Sequence, residues 1–133
     1  MLNNHKYLFV GERPSKLALK MGVSWKDGKL AAKQLFDALA HCKINITHCR
    51  FDNIFGMEAD GPEIVCKNAL KRVKRAMRSG IKVVAMGQKV ERALGSNFSL
   101  SIIHPAARGK IRKKELYINH VLEKLNGGIA KQL

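Results

Sequence analysis

The sequence predicts an α/β protein, a three-layer α/β/α sandwich in which a small four-stranded parallel sheet lies between helices. Short apolar runs alternate with amphipathic segments along the 133 residues, which is typical of βαβ units with right-handed crossovers. The run at 81–86 is almost entirely apolar, as expected for a parallel strand covered on both faces. With 46% hydrophobic residues, the chain can form its own core. We therefore expect a single domain spanning residues 1–133.

The first half of the chain is predicted to contain two strands and one long helix. Residues 7–10 are an apolar run that leads directly into a loop with Gly, Pro and two charges, which is typical of a buried strand ending at a ligand site. Asp27 can cap a helix that ends near His41, because apolar residues recur there at helical spacing. The β-branched run at 44–47 predicts the second strand, and residues 49–61 have the composition of a loop.

The second half is predicted to continue this alternation. Pro62 and Glu63 suit the first turn of a helix, since proline needs no hydrogen bond there and a carboxylate favours the positive end of the helix dipole. This helix is expected to bury Ile64 and to end at Gly80, with lysines and arginines along its outer side. The remaining predicted elements are a strand at 81–86, a short helix at 88–94, a strand at 98–103 and a helix at 113–126.

Polar residues lie at the ends of the first, second and fourth predicted strands, in segments that carry Glu12, Asn45 to Arg50, and His104. In a parallel sheet the carboxyl ends of all strands share one edge, which is where open α/β sheets bind ligands. We therefore expect Glu12, Asn45 and His104 to converge at that edge.

The net charge of +15 is concentrated in the second half of the chain. Residues 1–66 contain nine Lys and Arg against seven Asp and Glu, whereas residues 67–133 contain sixteen against three. Basic side chains that neutralise phosphates release counterions and so gain affinity. We expect a nucleic-acid partner, either DNA, single- or double-stranded, or RNA. The simpler explanation is a surface that keeps the protein soluble.

A basic run lies after His104, at the start of the predicted last helix. Positive charge there opposes the helix dipole, so folding alone does not explain it. We expect phosphate contacts from this run, joined by Lys89 and Arg92. Its members are Arg108, Lys110, Arg112, Lys113 and Lys114.

Five short motifs occur in order across about residues 7–125. They are Gly11-Glu12-Arg13-Pro14-Ser15, Gly22 with Trp25, Ile44-Asn45-Ile46, Val83-Val84-Ala85-Met86-Gly87 and His104-Pro105-Ala106. This ordered set resembles the uracil-DNA glycosylase superfamily and is most similar to its iron–sulfur, thermophile-type branch. The resemblance implies a uracil-DNA glycosylase-like fold. It also implies a DNA-repair hydrolase that cleaves the N-glycosidic bond of uracil, or of a related damaged or modified base, flipped out of DNA.

The resemblance assigns a role to each motif. Trp25 would stack on the flipped base, Asn45 would read its edge, and Gly11 and Pro14 would line the same base site. The catalytic residues would be His104, which stabilises the departing base anion, and Glu12, which positions water, together with Asn45. Taken singly, these residues also allow structural roles. His104 can be a strand cap, Asn45 a turn residue and Trp25 a core residue, and Glu12 can pair with its neighbour.

Arg13 departs from the pattern, because relatives carry aspartate or alanine at the matching position. A cation beside a positively charged sugar would oppose hydrolysis, unless Arg13 pairs with Glu12 or contacts a phosphate. The chain could instead be a catalytically inactive nucleic-acid-binding module in which Arg13 and Ser15 hold phosphates. A third possibility is an enzyme that acts on free nucleosides or nucleotides.

The cysteines also depart from the pattern. Cys49 and Cys66 resemble the last two of the branch's four cluster ligands, but the chain contains only three cysteines, so a four-thiolate cluster cannot form within it. We expect no cofactor and no metal, and a metal site that involves Cys42 and His48 is the alternative. No apolar run reaches the length of a membrane span, and the amino terminus lacks a signal-peptide pattern. We expect a cytoplasmic monomer without disulfides.

Overall fold

The computed structural model describes residues 7–56, 62–106 and 113–132. Four parallel strands form one sheet in the order β2-β1-β3-β4. The strands are β1 (Tyr7–Gly11), β2 (Cys49–Asn53), β3 (Lys82–Met86) and β4 (Leu100–Ile102). The helices are α1 (Lys16–Met21), α2 (Ala31–His41), α3 (Lys67–Arg78), α4 (Gln88–Leu94) and α5 (Lys114–Gln132).

Helices cover both faces of the sheet, as predicted. Successive side chains of a strand point to opposite faces, so Leu8 and Val10 pack with α3 and α4, whereas Phe9 packs with α2 and α5. The side chains of β3 alternate in the same way: Val83 packs on the face covered by α3 and α4, and Val84 packs on the face covered by α2 and α5. The two central strands are therefore buried on both sides, which explains their continuous apolar sequences. The small α/β fold with a four-stranded parallel sheet is confirmed.

The predicted second strand at 44–47 is wrong. Asn45 instead begins a 3₁₀ turn at Ile46–His48, and its side-chain oxygen accepts hydrogen bonds from the Thr47 amide at 3.0 Å and the Thr47 hydroxyl at 2.7 Å. Such local side-chain bonds compete with strand pairing. The strand forms one segment later, at β2, although the composition of residues 49–53 predicts a loop.

Two helix starts also differ from the prediction. α2 begins at Ala31 rather than after Asp27, because the Asp27 carboxylate accepts a hydrogen bond from the Ser24 amide at 2.6 Å within a separate 3₁₀ turn. α3 begins at Lys67 rather than at residues 62–63. The Cys66 amide donates to the Ile54 carbonyl at 2.7 Å, which holds the preceding segment against the end of β2. Ile64, predicted to be buried, is therefore 67% exposed.

The other elements lie close to their predicted positions. The end of α2 at His41 and both ends of α4 are confirmed. β4 is shorter than predicted, and α5 continues past Asn126 to Gln132. α3 exposes the basic side predicted for it, which consists of Lys67, Lys71, Lys74, Arg75 and Arg78. Within the described ranges, no helix is both long enough and apolar enough to span a membrane.

Candidate functional site at the carboxyl edge of the sheet

Glu12 and His104 approach each other at the carboxyl edge, as predicted, and Gly87 lies between them. Gly87 follows β3 with φ 101°, a left-handed conformation that side-chain-bearing residues rarely adopt. A Cβ atom at this position would lie 3.6 Å from His104 Cβ and 4.0 Å from Glu12 Oε2. The glycine thus permits the backbone turn that brings the loops after β1, β3 and β4 together.

An open cleft of about 520 Å³ lies beside these residues. Glu12 and His104 line it, with Lys89 and Arg92 from α4 and Lys124 from α5. A cleft of this size accommodates a small ligand such as a nucleoside. Three cations against two carboxylates, Glu12 and Glu91, give the lining a net positive charge, which suits a ligand that carries negative charge.

The environment of His104 defines its protonation. Its Nδ1 accepts a hydrogen bond from the Ala106 amide at 3.0 Å, so the neutral ring carries its proton on Nε2. Burial lowers the pKa of His104, and the Glu12 carboxylate opposes that shift in part. At neutral pH, His104 is therefore a neutral imidazole with an Nε2–H donor.

Trp25 packs beside His104 and contacts the end of β1. Its Nε1–H donates to Asn53 Oδ1 at 3.1 Å. Its ring stacks on Phe51 with a centroid distance of 6.1 Å, and His104 lies at its edge at 6.2 Å. A Cβ atom on Gly11 would lie 3.0 Å from Trp25 Cζ2. Trp25 therefore reaches the site as predicted, although it does not line the cleft.

Asn53 lies beside Trp25 and Gly11 at the same edge of the sheet, although it does not line the cleft, and the sequence patterns did not single it out. It ends β2 directly beside Gly11 in the parallel register. Because indole N–H can only donate, the Asn53 amide oxygen faces Trp25, and its NH₂ group keeps two donors directed elsewhere. The alternation of polar and apolar residues at 49–53 could have identified this strand.

The end of β2 is fixed by an ion pair with α3. Arg72 binds the Asp52 carboxylate through two hydrogen bonds, Nε to Oδ2 at 2.6 Å and Nη2 to Oδ1 at 2.9 Å. Asp52 Oδ1 also accepts a hydrogen bond from the backbone N–H of Asn53 at 2.9 Å. This network holds the backbone that presents Asn53.

Asn45 does not reach the site. It precedes Cys49, which begins β2 and pairs with Tyr7 at the amino edge of the sheet. Its side-chain oxygen is bonded to Thr47. The expectation that Asn45 converges with Glu12 and His104 is therefore wrong, because β2 begins after Asn45 instead of containing it.

Arg13 and Lys89 both approach Glu63. Arg13 Nη2 lies 3.9 Å from Glu63 Oε1, and Lys89 Nζ lies 2.7 Å from the same oxygen. The Lys89 hydrogen bond lowers the pKa of Glu63. Glu63 thus partly neutralises the charge of Arg13 in the loop after β1.

The other predicted contact residues have varied surroundings. Pro14 is partly buried, and Ser15 caps α1 by accepting a hydrogen bond from the Ala18 amide at 3.0 Å. Lys113 is exposed, whereas Lys114 lies 3.7 Å from Asp37 of α2. Three predicted members of the basic run lie outside the described residues, namely Arg108, Lys110 and Arg112.

Cys49 and Cys66 lie at opposite ends of β2. Cys49 begins the strand, and the Cys66 amide bonds to Ile54, just past its end. With a rise of about 3.3 Å per residue, the two thiols are separated by roughly 15 Å and cannot ligate one ion. Burial raises the pKa of Cys49 to about 11, so it is a packed thiol. In the part of the chain that the structure describes, no three His, Cys, Asp or Glu residues form a metal-binding group.

No protein-family model matches the chain, and no curated protein sequence matches it either. Its function is therefore inferred from the geometry of this site.

Proposed function

We propose that the chain is a DNA glycosylase that hydrolyses the N-glycosidic bond of uracil, or of a related damaged or modified base, flipped out of DNA. The observation that supports this most is His104, a neutral imidazole beside a carboxylate at the edge of a nucleoside-sized cleft. The protein would act as a cytoplasmic monomer without a cofactor.

His104 would stabilise the leaving group. Cleavage of the bond leaves negative charge on a base oxygen, and a preorganised donor in a partly dehydrated site stabilises such charge strongly. The Ala106 amide fixes the ring so that Nε2–H is the donor. The neutral imidazole can donate this hydrogen bond to the base oxygen and keep its Nε2 proton, so the base can leave as an anion.

Glu12 would act on the other product of the cleavage. The sugar becomes cationic, so a nearby carboxylate can stabilise it electrostatically and orient the attacking water. The position of Glu12 beside Gly87 and His104 supports this role. Arg13 opposes hydrolysis less than its charge suggests, because Glu63 lies between it and Lys89.

Asn53 would replace Asn45 as the residue that reads the base. Its NH₂ group can donate to a base carbonyl, while Trp25 holds the amide orientation through the bond to Oδ1. Phe51 covers one face of Trp25, which leaves the partly exposed indole able to stack on a base. Stacking of this kind contributes about 1 to 3 kcal/mol per base.

The experiment is a strand-cleavage assay on uracil-containing single- and double-stranded oligonucleotides, followed by alkali. We expect His104→Ala and Asn53→Ala to lower product formation by about 10² to 10³, as removal of one transition-state donor does. Asn45→Ala is the matched control, since it removes the same amide at the opposite edge and should leave the rate within about twofold. Intact strands for uracil and for a panel of modified bases would reject the proposal, as would equal losses in both Asn variants.

One observation favours a second function, a nucleic-acid-binding module without hydrolysis. The Trp25 N–H binds the Asn53 oxygen, so that acceptor is already occupied and a base could pair only with the Asn53 NH₂ group. This function predicts salt-dependent retardation of intact DNA or RNA in native gels run without alkali. It also predicts weaker retardation for Arg13→Ala and for the double variant Lys113→Ala/Lys114→Ala.

A further inference from the structure

Two side chains of α5 bind the backbone N–H and C=O groups of a single residue, Ile103. The Ile103 amide donates to His120 Nε2 at 2.8 Å, and the Ile103 carbonyl accepts from the Tyr117 hydroxyl at 2.8 Å. Tyr117 and His120 are three residues apart, so they lie on the same face of the helix. Their rings are 6.1 Å apart between centroids.

Ile103 lies between the last residue of β4 and His104, so its backbone determines where the catalytic ring is presented. The strand ladder ends at Ile102, which pairs with Met86. A backbone that leaves a sheet must find other partners for its N–H and C=O groups. At Ile103 these partners are Tyr117 and His120.

We propose that Tyr117 and His120 are positioning residues that clamp the Ile103 backbone and thereby aim the His104 imidazole, and that His120 does so only while its Nε2 is unprotonated. The proposal rests on the proposed function for the role of His104, but the clamp itself can be measured without any substrate.

Tyr117 gives the clamp a permanent donor. Its side chain is fully buried, and burial raises its pKa far above the ordinary value for tyrosine. The hydroxyl therefore keeps its proton over the whole range in which proteins are active. Loss of this donor would leave the Ile103 carbonyl without the bond that replaces strand pairing.

His120 gives the clamp a dependence on pH. As an acceptor at Nε2, it must carry its proton on Nδ1. Burial and Lys124 lower the pKa of His120, while Glu123 opposes the shift. The charged and titratable groups that line the cleft with it are Glu12, Lys89, Glu91, Arg92, His104 and Lys124. Because the folded pKa is lowered, the clamp is complete above the ordinary histidine pKa and is lost as pH falls through the folded value.

The test uses NMR on the full chain, with ring signals of His104 and the amide signal of Ile103 followed between pH 8 and 5. We expect the Ile103 amide to shift with the titration of His120, and the His104 ring signals to change with it. In Tyr117→Phe the His104 signals should differ from wild type at every pH, whereas in His120→Ala they should differ at pH 8 and the difference should shrink toward pH 5, where the wild type loses the same bond. His120→Gln keeps an acceptor that does not titrate, so it should retain the wild-type His104 signals at pH 8 and lose the His120-linked change. His41→Ala, a histidine replacement on α2, is the control.

Activity provides the second measurement. Tyr117→Phe and His120→Ala should lower kcat about tenfold with KM changed less than twofold, and His120→Gln should restore most of kcat. His104 signals that stay unchanged in both Tyr117→Phe and His120→Ala would overturn the clamp, even in an active enzyme. Conversely, a chain that shows the NMR coupling but cleaves no base would retain the clamp and reject the glycosylase.

Discussion

Gly11 is restricted by its neighbours rather than by its backbone angles. A Cβ atom there would lie 3.0 Å from Trp25 Cζ2 and 3.2 Å from Asn53 Oδ1, distances that real Cβ contacts rarely reach. The residue that ends the central strand therefore determines where the aromatic ring and the amide can meet. A single methyl group at this position would separate them.

Gly11→Ala should break the Trp25–Asn53 hydrogen bond. Trp25 is the only tryptophan in the chain, so its fluorescence reports on this site alone, and we expect a changed emission maximum. Gly22→Asn is the control, because asparagine tolerates the left-handed conformation and nothing lies within 4 Å of that position. An emission spectrum unchanged in Gly11→Ala and changed in Gly22→Asn would contradict the described packing.

At the scale of the element, β2 shows how a short shift in a strand changes a site. The β-branched residues at 44–47 predict a strand from intrinsic preference alone, but the Asn45 side chain binds the local backbone and starts a turn. Strand preferences are easily overridden by such contacts. The position of β2 decides that Asn53 reaches the ligand edge and that Asn45 does not.

Two isoleucines test the revised boundaries of β2 and α3. Ile54 is fully buried just after β2, whereas Ile64 is 67% exposed before α3. Ile54→Ala should lower the free energy of unfolding by about 2 to 5 kcal/mol, and Ile64→Ala by no more than about 0.5 kcal/mol. Urea unfolding at pH 7 measures both. The reverse order would support the predicted helix start at residues 62–63 over the observed one.

At the scale of the whole molecule, the sequence was sufficient to predict the layered α/β architecture. It was not sufficient to predict every residue at the carboxyl edge of the sheet. β1, β3 and α4 were predictable because their burial patterns are local and unambiguous, as in the apolar run from Val83 to Met86. Asn53 was not predicted, because its place depends on pairing with Gly11 across 42 positions. The contact between Tyr117 and Ile103 is likewise tertiary, and the spacing of α5 alone does not reveal it.

The net charge of +15 also acts on the whole molecule. Repulsion among many cations opposes the compact state, and salt screens it, with a Debye length of about 10 Å at 0.1 M and about 3 Å at 1 M. We therefore expect Tm to rise between 0.02 and 0.5 M KCl in a thermal scan. Lys67→Gln/Lys71→Gln/Lys74→Gln on α3 should reduce that rise. A Tm that falls with added salt would show that ion pairs such as Asp52–Arg72 dominate instead.

The central position of β1 has a consequence for folding during synthesis. Tyr7 pairs with Cys49 on one side and with Lys82 on the other, so the partner strand β3 follows β1 by 75 positions. At about 5 to 20 residues per second, a ribosome takes several seconds to reach it. During that interval β1 can pair with β2, which is made first, but its other edge has no partner until β3 is synthesised. That open edge is then accessible to chaperones and to aggregation.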